Sequence, residues 1–367
     1  MKILVLGGTG AMGIHLINLL AMDDISVYVT SRQEKEDKGS IHFIKGDAHD
    51  KGFFETLMLN NYFDAIVDFM IYTQEEFQER LDTLLSMTAQ YIFLSSARVY
   101  AESKFPIREE SDRLLDICEN QRYLTTDEYA LVKARQEDML NACKKKNWTI
   151  IRPYITYGEE RMQLGVYEKE GWLYRALHDR SIVFSRDIAN CITTLSYSYD
   201  VARCIKELLG KDTALGETYH ITTAESIEWI KILEIYKRII ENKTGKTLKV
   251  AWVDSLYDLR INTPYYQAEY DRFYNRIFDN TKITGITGLN NFTTIQSGIT
   301  KSLESFLEAP SFKSIDWGEE ALKDKIVGEW TQLKEISGMK GKLKYLIYRC
   351  MPKRIVSLME EVAKIMK

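Results

Sequence analysis

Between residues 7 and 13 the chain reads Gly7-Gly8-Thr9-Gly10-Ala11-Met12-Gly13, and that one segment leaves few folds open. It follows the apolar run Ile3–Leu6 and leads into Ala11–Met22, where apolar residues fall near helical spacing. Both the GxxGxxG and GxGxxG patterns are satisfied. A strand that enters a helix through such a turn uses backbone angles closed to other residues, and it lets a pyrophosphate approach the main chain closely. The free amides at the helix start then favour an anion. The context of strand before and helix after makes this a dinucleotide loop; a tight βα turn with no ligand is the alternative.

The next ninety residues keep the same rhythm. Ile25–Thr30, Ile41–Ile44, Ala65–Phe69 and Tyr91–Leu94 are short apolar runs, and Glu75–Met87 has helical spacing. Strands apolar on both faces and alternating with helices predict an α/β fold, a doubly wound, parallel Rossmann-type sheet. Residues 125–146 read as one long helix, with a capping box from Thr125 to Glu128 and Lys144–Lys146 at the negative end of the dipole. Trp148–Arg152 reads as the following strand. Beyond residue 154 the pattern loosens, with helices expected at 198–209, 225–242 and 293–307 and strands at 218–221, 248–253 and 276–279. The expected division is a dinucleotide-binding domain over 1–153, a smaller C-terminal substrate domain mainly over 154–310 with some segments returning to the first sheet, and a basic helical extension over 311–367.

Composition narrows the function classes. The 367 residues are 45% hydrophobic and 28% charged, enough for a large core, and the formal charge of −4 gives no pull toward nucleic acid. Five scattered cysteines form neither a CxxC pair nor a disulfide framework, and five scattered histidines form no metal motif, so no metal site is expected. No apolar run has the length of a membrane span, and the amino terminus lacks a signal-peptide cleavage site; a cytoplasmic protein is expected.

Where a dinucleotide site chooses between ribose and ribose phosphate, an acidic residue favours NAD. The chain has Thr30-Ser31-Arg32 there. Arg32 would pair with a 2′-phosphate and Ser31 would donate a hydrogen bond, which favours NADP over NAD; an exposed loop arginine is the alternative. Tyr129 and Lys133 stand four residues apart on one helix face. A tyrosine titrates near 10, and lowering that by about three units takes roughly 4 kcal/mol of preferential phenolate stabilisation, which a lysine and an oxidised nicotinamide would supply. The only other YxxxK match is Tyr100 with Lys104, which precedes Phe105-Pro106 and reads as a loop. Ser95 and Ser96 close the fifth apolar run, where ligands of such sheets bind, and a serine there would bond the oxygen that loses its proton. Two serines ending a strand is the plain alternative.

In order and spacing these segments resemble the NAD-dependent epimerase/dehydratase family, the extended short-chain dehydrogenases, from Gly7 to about Phe306. The glycine loop matches at Gly7, Gly10 and Gly13. Asp47 in Gly46-Asp47-Ala48 matches the acidic residue near adenine, and Ser96-Ala97-Arg98-Val99-Tyr100 matches the segment that carries the family's serine. Arg152-Pro153-Tyr154-Ile155-Thr156-Tyr157-Gly158, Asp200-Val201-Ala202, Gly216–Ile221 and Phe278–Ile283 match later motifs. The resemblance implies Ser96, Tyr129 and Lys133 as catalytic residues. It implies cofactor contacts at Gly7, Gly10, Ala11, Met12, Gly13, Ser31, Arg32, Asp47, Phe69, Tyr129, Lys133 and Pro153. The Asp-Glu pair of the family's 4,6-dehydratases is replaced by Ala97-Arg98, which favours epimerisation or simple redox over elimination. The substrate implied is a nucleotide sugar, and homodimers are frequent in such families. A non-catalytic NAD(P)-binding regulatory or RNA-associated module is the competing reading. In the tail, Lys340, Lys342, Lys344, Arg349, Lys353 and Arg354 interleave with Tyr345, Leu346, Ile347 and Ile355. That pattern suits weak contact with an anionic membrane surface, or else a solvated helix or a subunit contact.

Overall fold

The computed structural model describes residues 1–23, 25–59, 61–260 and 265–365. They form two compact units: Met1–Glu160, Thr194–Ser226 and Arg276–Gly298 make the first, and Arg161–Thr193, Ile227–Asn275 and Ile299–Lys367 the second.

The first unit is built on seven strands: β1 (Lys2–Leu6), β2 (Ser26–Ser31), β3 (Ile41–Lys45), β4 (Phe63–Asp68), β5 (Thr88–Leu94), β6 (Trp148–Pro153) and β7 (Glu217–Ile221). They pair in parallel in the order β7-β6-β5-β4-β1-β2-β3. Helices α1 (Ala11–Met22), α2 (Lys51–Leu59), α3 (Gln74–Ser86), α4 (Tyr129–Ala142) and α5 (Ser198–Leu208) cover the sheet. Strand alternation explains why both faces are covered. Ile3, Val5, Val27 and Val29 point to one side, into a core with Leu16 and Leu20 of α1 and Val201 and Ile205 of α5. Leu4, Leu6 and Ile66 point to the other, onto Phe54 of α2, Phe77 and Leu84 of α3 and Leu140 of α4. Each such side chain buried contributes about 1.5–3 kcal/mol. The strand order reverses between β1 and β4, and that switch point is where such sheets bind ligands.

Several boundaries differ from the sequence expectation. The long helix begins at Tyr129 rather than 125, because Glu128 caps it by accepting the Ala130 N–H at 2.7 Å. Thr125 instead closes the one-turn helix Gln121–Leu124, so the capping box is absent. The helix ends at Ala142, and Lys145 reaches across to the Leu85 carbonyl instead of extending it. Residues 276–279 contribute only an isolated bridge between Phe278 and Ile107. The helix expected at 225–242 is Trp229–Thr244, because Ile227–Glu228 pairs with Ile192–Thr193.

In the second unit a parallel pair, Ile182–Ser185 with Val250–Val253, accompanies the helices Lys169–Leu177 and Trp229–Thr244. Helices α6 (Trp317–Val327), α7 (Gly338–Cys350) and α8 (Lys353–Ile365) complete it. Fully buried Arg175 ties α6 to the helix Lys169–Leu177: its guanidinium meets Glu320 at 3.0 Å and Asp324 at 2.8 Å, and Tyr345 of α7 donates to Asp324 at 2.6 Å.

Candidate active site

The glycine loop closes β1 at the switch point. Gly7 has φ of 69°, a left-handed conformation that glycine adopts without strain. Gly13 is required by packing: a Cβ there would lie 2.5 Å from the Gly8 backbone. Gly10 differs from both. Its φ is −83° and a Cβ would meet nothing nearer than the Gly7 carbonyl at 3.6 Å, so neither backbone nor packing demands glycine. Gly10 is also the N-cap of α1, so no side chain caps the helix, and the first turn has no acidic residue. The intrahelical ladder begins only with Ile14 donating to Gly10, which leaves the amides of Ala11, Met12 and Gly13 as the helix's amino-terminal donors. Uncapped amides behind a side-chain-free residue are what a pyrophosphate would need.

The other residues expected at the cofactor stand at the carboxyl ends of further strands of the sheet. Phe69 follows β4 and donates its N–H to Leu6, directly beside Gly7. Ser31 ends β2, buried, its hydroxyl donating to the Gln33 carbonyl at 2.8 Å; Arg32 follows, exposed. Asp47 lies exposed in the turn after β3 and accepts the His49 N–H at 3.0 Å. Pro153 ends β6, buried, paired with Ile221.

At the carboxyl end of β5, successive serines separate. Ser95 donates to Glu137 of α4 at 2.5 Å, whereas Ser96 accepts the Arg98 N–H at 3.2 Å. Tyr129 is the first residue of α4, and the Arg98 guanidinium lies 5.5 Å from its ring centroid while pairing with Glu128. One turn along, Lys133 is buried and donates to the Leu94 carbonyl at 2.8 Å. Burial pulls this ammonium down to about 8, against the opposing charges of Asp68 and Glu137. Asp68 ends β4; burial pushes its carboxyl up to about 6, although the Met70 N–H, the Tyr91 hydroxyl and Lys133 favour its charged form. The catalytic set expected from sequence is thus carried by the end of β5 and the first turns of α4, one strand away from the glycine loop's neighbour β4. The other YxxxK pair is split: Tyr100 is buried, and Lys104 is exposed in a loop.

Sequence reasoning passed over the groups that hold this arrangement. Arg152 grips Glu137 with two hydrogen bonds, 2.8 and 2.7 Å, and covers the Tyr100 ring at 4.8 Å. His220 donates from Nε2 to the Asp279 carbonyl at 2.8 Å, which leaves Nδ1 as the acceptor for Tyr100 at 3.4 Å. Burial pulls that imidazole down to about 4, so it is neutral. The signal was present as charged residues inside apolar strands, Asp68 in Ala65–Phe69 and Arg152 in Trp148–Arg152, because buried charges need partners. Ile155 has φ of 36°, unusual for a β-branched residue. Its turn is held by Ser196, which accepts the Tyr154 N–H at 3.0 Å and donates to Ile221 at 2.6 Å.

Among the described residues, no group of histidine, cysteine and carboxylate side chains is arranged to hold a metal, and no helix is long and apolar enough to cross a membrane.

The family model for the NAD dependent epimerase/dehydratase family matches residues 3–222. Among solved structures, the chain is similar to the epimerase Mth375 of Methanothermobacter thermautotrophicus, with 16% identity, 84% of this chain and 92% of that one covered, and a TM-score of 0.66. It is similar to UDP-glucuronic acid 4-epimerase of Bacillus cereus, solved with UDP-glucuronic acid and NAD (16%, 84% and 99%, 0.63). A third is dTDP-glucose 4,6-dehydratase of Bacillus anthracis, solved with NAD (16%, 84% and 97%, 0.64). At these identities the likeness is one of fold. No curated protein sequence matches the chain.

Proposed function

The chain belongs to the NAD-dependent epimerase/dehydratase family, and from that premise we propose that it is a nucleotide-sugar epimerase working through a bound nicotinamide dinucleotide. The observation that carries the reading is the buried ammonium of Lys133, held on the Leu94 carbonyl one helical turn from Tyr129. A nicotinamide held over the glycine loop would supply reversible hydride transfer to and from a carbinol carbon of the substrate. Tyr129 accepts the hydroxyl proton, and Ser96 orients that oxygen. Arg98 lies over the Tyr129 ring, and Lys133 one turn along the helix would add a second positive charge; both would favour the phenolate. The fit to a dinucleotide rests on Gly10, where neither backbone angle nor packing demands a glycine, and on the uncapped amides behind it. Arg32, exposed beyond β2 where an acidic residue would repel a 2′-phosphate, supports NADP. Ala97-Arg98 in place of an acidic pair supports epimerisation over elimination.

The test is Tyr129→Phe assayed by chromatography on a panel of UDP- and dTDP-sugars. Turnover is expected to fall about 10²–10⁴-fold while the nicotinamide nucleotide still co-purifies by native mass spectrometry. Reduced cofactor does not accumulate in the wild-type reaction if the hydride is returned. Undiminished turnover in Tyr129→Phe refutes the mechanism, and an unchanged biological role in that variant favours the non-catalytic module. Arg32→Ala is expected to weaken NADPH and leave NADH binding unchanged; equal effects on both refute the NADP assignment.

A further inference from the structure

The family match ends at residue 222, and α7 and α8 carry a surface that the proposed chemistry does not use. Over α7 and α8, from Gly338 to Ile365, there are seven cations and two carboxylates, Glu360 and Glu361, in a chain whose formal charge is −4. The same stretch exposes large apolar side chains. On α7, Met339 is 80% and Leu343 58% exposed. At about 100° per residue they share a stripe with half-buried Ile347 and exposed Cys350. Lys340 and Lys342 fall on either side of that stripe, and fully buried Tyr345 lies on the opposite side of the helix, in the unit's own core with Trp317 and Ala321. On α8 the exposed Ile355, Leu358, Met359 and Val362 stand at i, i+3, i+4 and i+7, one continuous apolar stripe, with buried Val356 outside it. Each helix therefore anchors one side inward and presents an apolar stripe to solvent.

The cations divide by use. Lys344 pairs with Asp316 at 2.7 Å, Lys353 donates to the Asp258 carbonyl, and Arg349 stacks on Trp330. Lys340, Lys342 and Arg354 make no ion pair or hydrogen bond among the described residues. Apolar stripes bordered by unpaired cations, on helices too short and polar to span a bilayer, match the requirements of a helix lying in the plane of an anionic lipid surface.

We infer that α7 and α8 form a docking surface for an anionic lipid bilayer, seating the apolar stripes at the headgroup boundary while Lys340, Lys342 and Arg354 meet lipid phosphates. This is independent of the catalytic reading. The experiment is cosedimentation of the full chain with vesicles of phosphatidylcholine alone or mixed with phosphatidylglycerol. Binding is expected only with the anionic mixture, and it weakens as salt rises to roughly 0.5 M. Lys340→Gln and Lys342→Gln each lower the partition coefficient about fivefold, the effect of removing one cation near such a surface. Leu343→Asp with Leu358→Asp abolishes binding. Should that pair unfold the unit, the conservative glutamine pair still decides. Equal pelleting with neutral and anionic vesicles, no pelleting at all, or no response to the glutamine pair overturns the inference. So does a dimer, seen by light scattering, that the aspartate pair dissolves in a chain that does not bind vesicles; a second copy would then cover this face.

Discussion

Gly10→Ala and Gly13→Ala add the same methyl group three residues apart, and the structure expects opposite consequences. At Gly13 the new Cβ lies 2.5–2.6 Å from three backbone atoms of Gly8, closer than any real Cβ contact, and no flexible side chain stands there to yield. The loop or the start of α1 must move, which costs about 1–3 kcal/mol, and the roughly 1 kcal/mol of helix propensity gained offsets only part of it. For a chain of 367 residues, a net loss of about 1–2 kcal/mol lowers the melting temperature by about 1–3 °C. At Gly10 the backbone is extended and the nearest atom is 3.6 Å away. Loss of a glycine N-cap and the lower entropy of the unfolded chain each amount to about 0.5–1 kcal/mol with opposite signs, so the melting temperature without cofactor should move by less than about 1 °C. Dinucleotide affinity should nonetheless fall at least about tenfold, because the methyl occupies the approach of the pyrophosphate. Thermal scanning without cofactor and fluorescence titration with reduced nicotinamide nucleotides separate the two effects. Gly10→Ala binding as tightly as wild type would refute placement of the phosphates over this residue, and Gly13→Ala melting like wild type would refute the packing argument.

Lys133 is lowered to about 8 from an ordinary 10.5, so between pH 8 and 10.5 the unfolded chain binds more protons and stability rises with pH. Well below pH 8 the charged, buried form costs roughly 3 kcal/mol, and Lys133→Met escapes that cost; the stability difference between variant and wild type should therefore change by about 2 kcal/mol from pH 8 to 10 in urea titrations. A difference independent of pH would contradict the burial argument. His220, lowered to about 4, contributes stability that is present above about pH 6.5 and lost as pH falls through 4, and its imidazole nitrogen resonances should not titrate between pH 5 and 8. A midpoint near 6.5 would show the ring to be solvated. Glu137→Gln leaves Arg152 as a buried, poorly matched charge and should cost about 3–5 kcal/mol in chemical denaturation; a loss under about 1 kcal/mol would mean that the Glu137–Arg152 pair contributes little.

What could be read along the chain was whatever local chemistry decides. The glycine loop announced a βα turn, because few residues tolerate the backbone of Gly7 and the packing of Gly13. The doubly apolar runs announced a sheet covered on both faces, because Ile3–Leu6 has no polar face to offer water. Helical spacing placed Tyr129 and Lys133 one turn apart. Beyond local spacing, partners far apart in the chain took over. The helix start moved from 125 to 129 because the Glu128 carboxylate both caps Ala130 and pairs with Arg98, a contact thirty residues distant that no local capping rule contains. The charge state of Lys133 depends on Asp68 and Glu137 and on the apolar surroundings shared by three elements. Residues 276–279 read as a strand by composition, but a strand needs a neighbouring edge, and among the described residues their one β-bridge is that between Phe278 and Ile107. Periodicity and turn chemistry are properties of neighbours in sequence; burial, pairing and the resulting proton affinities are properties of neighbours in space, and those exist only once the chain has folded.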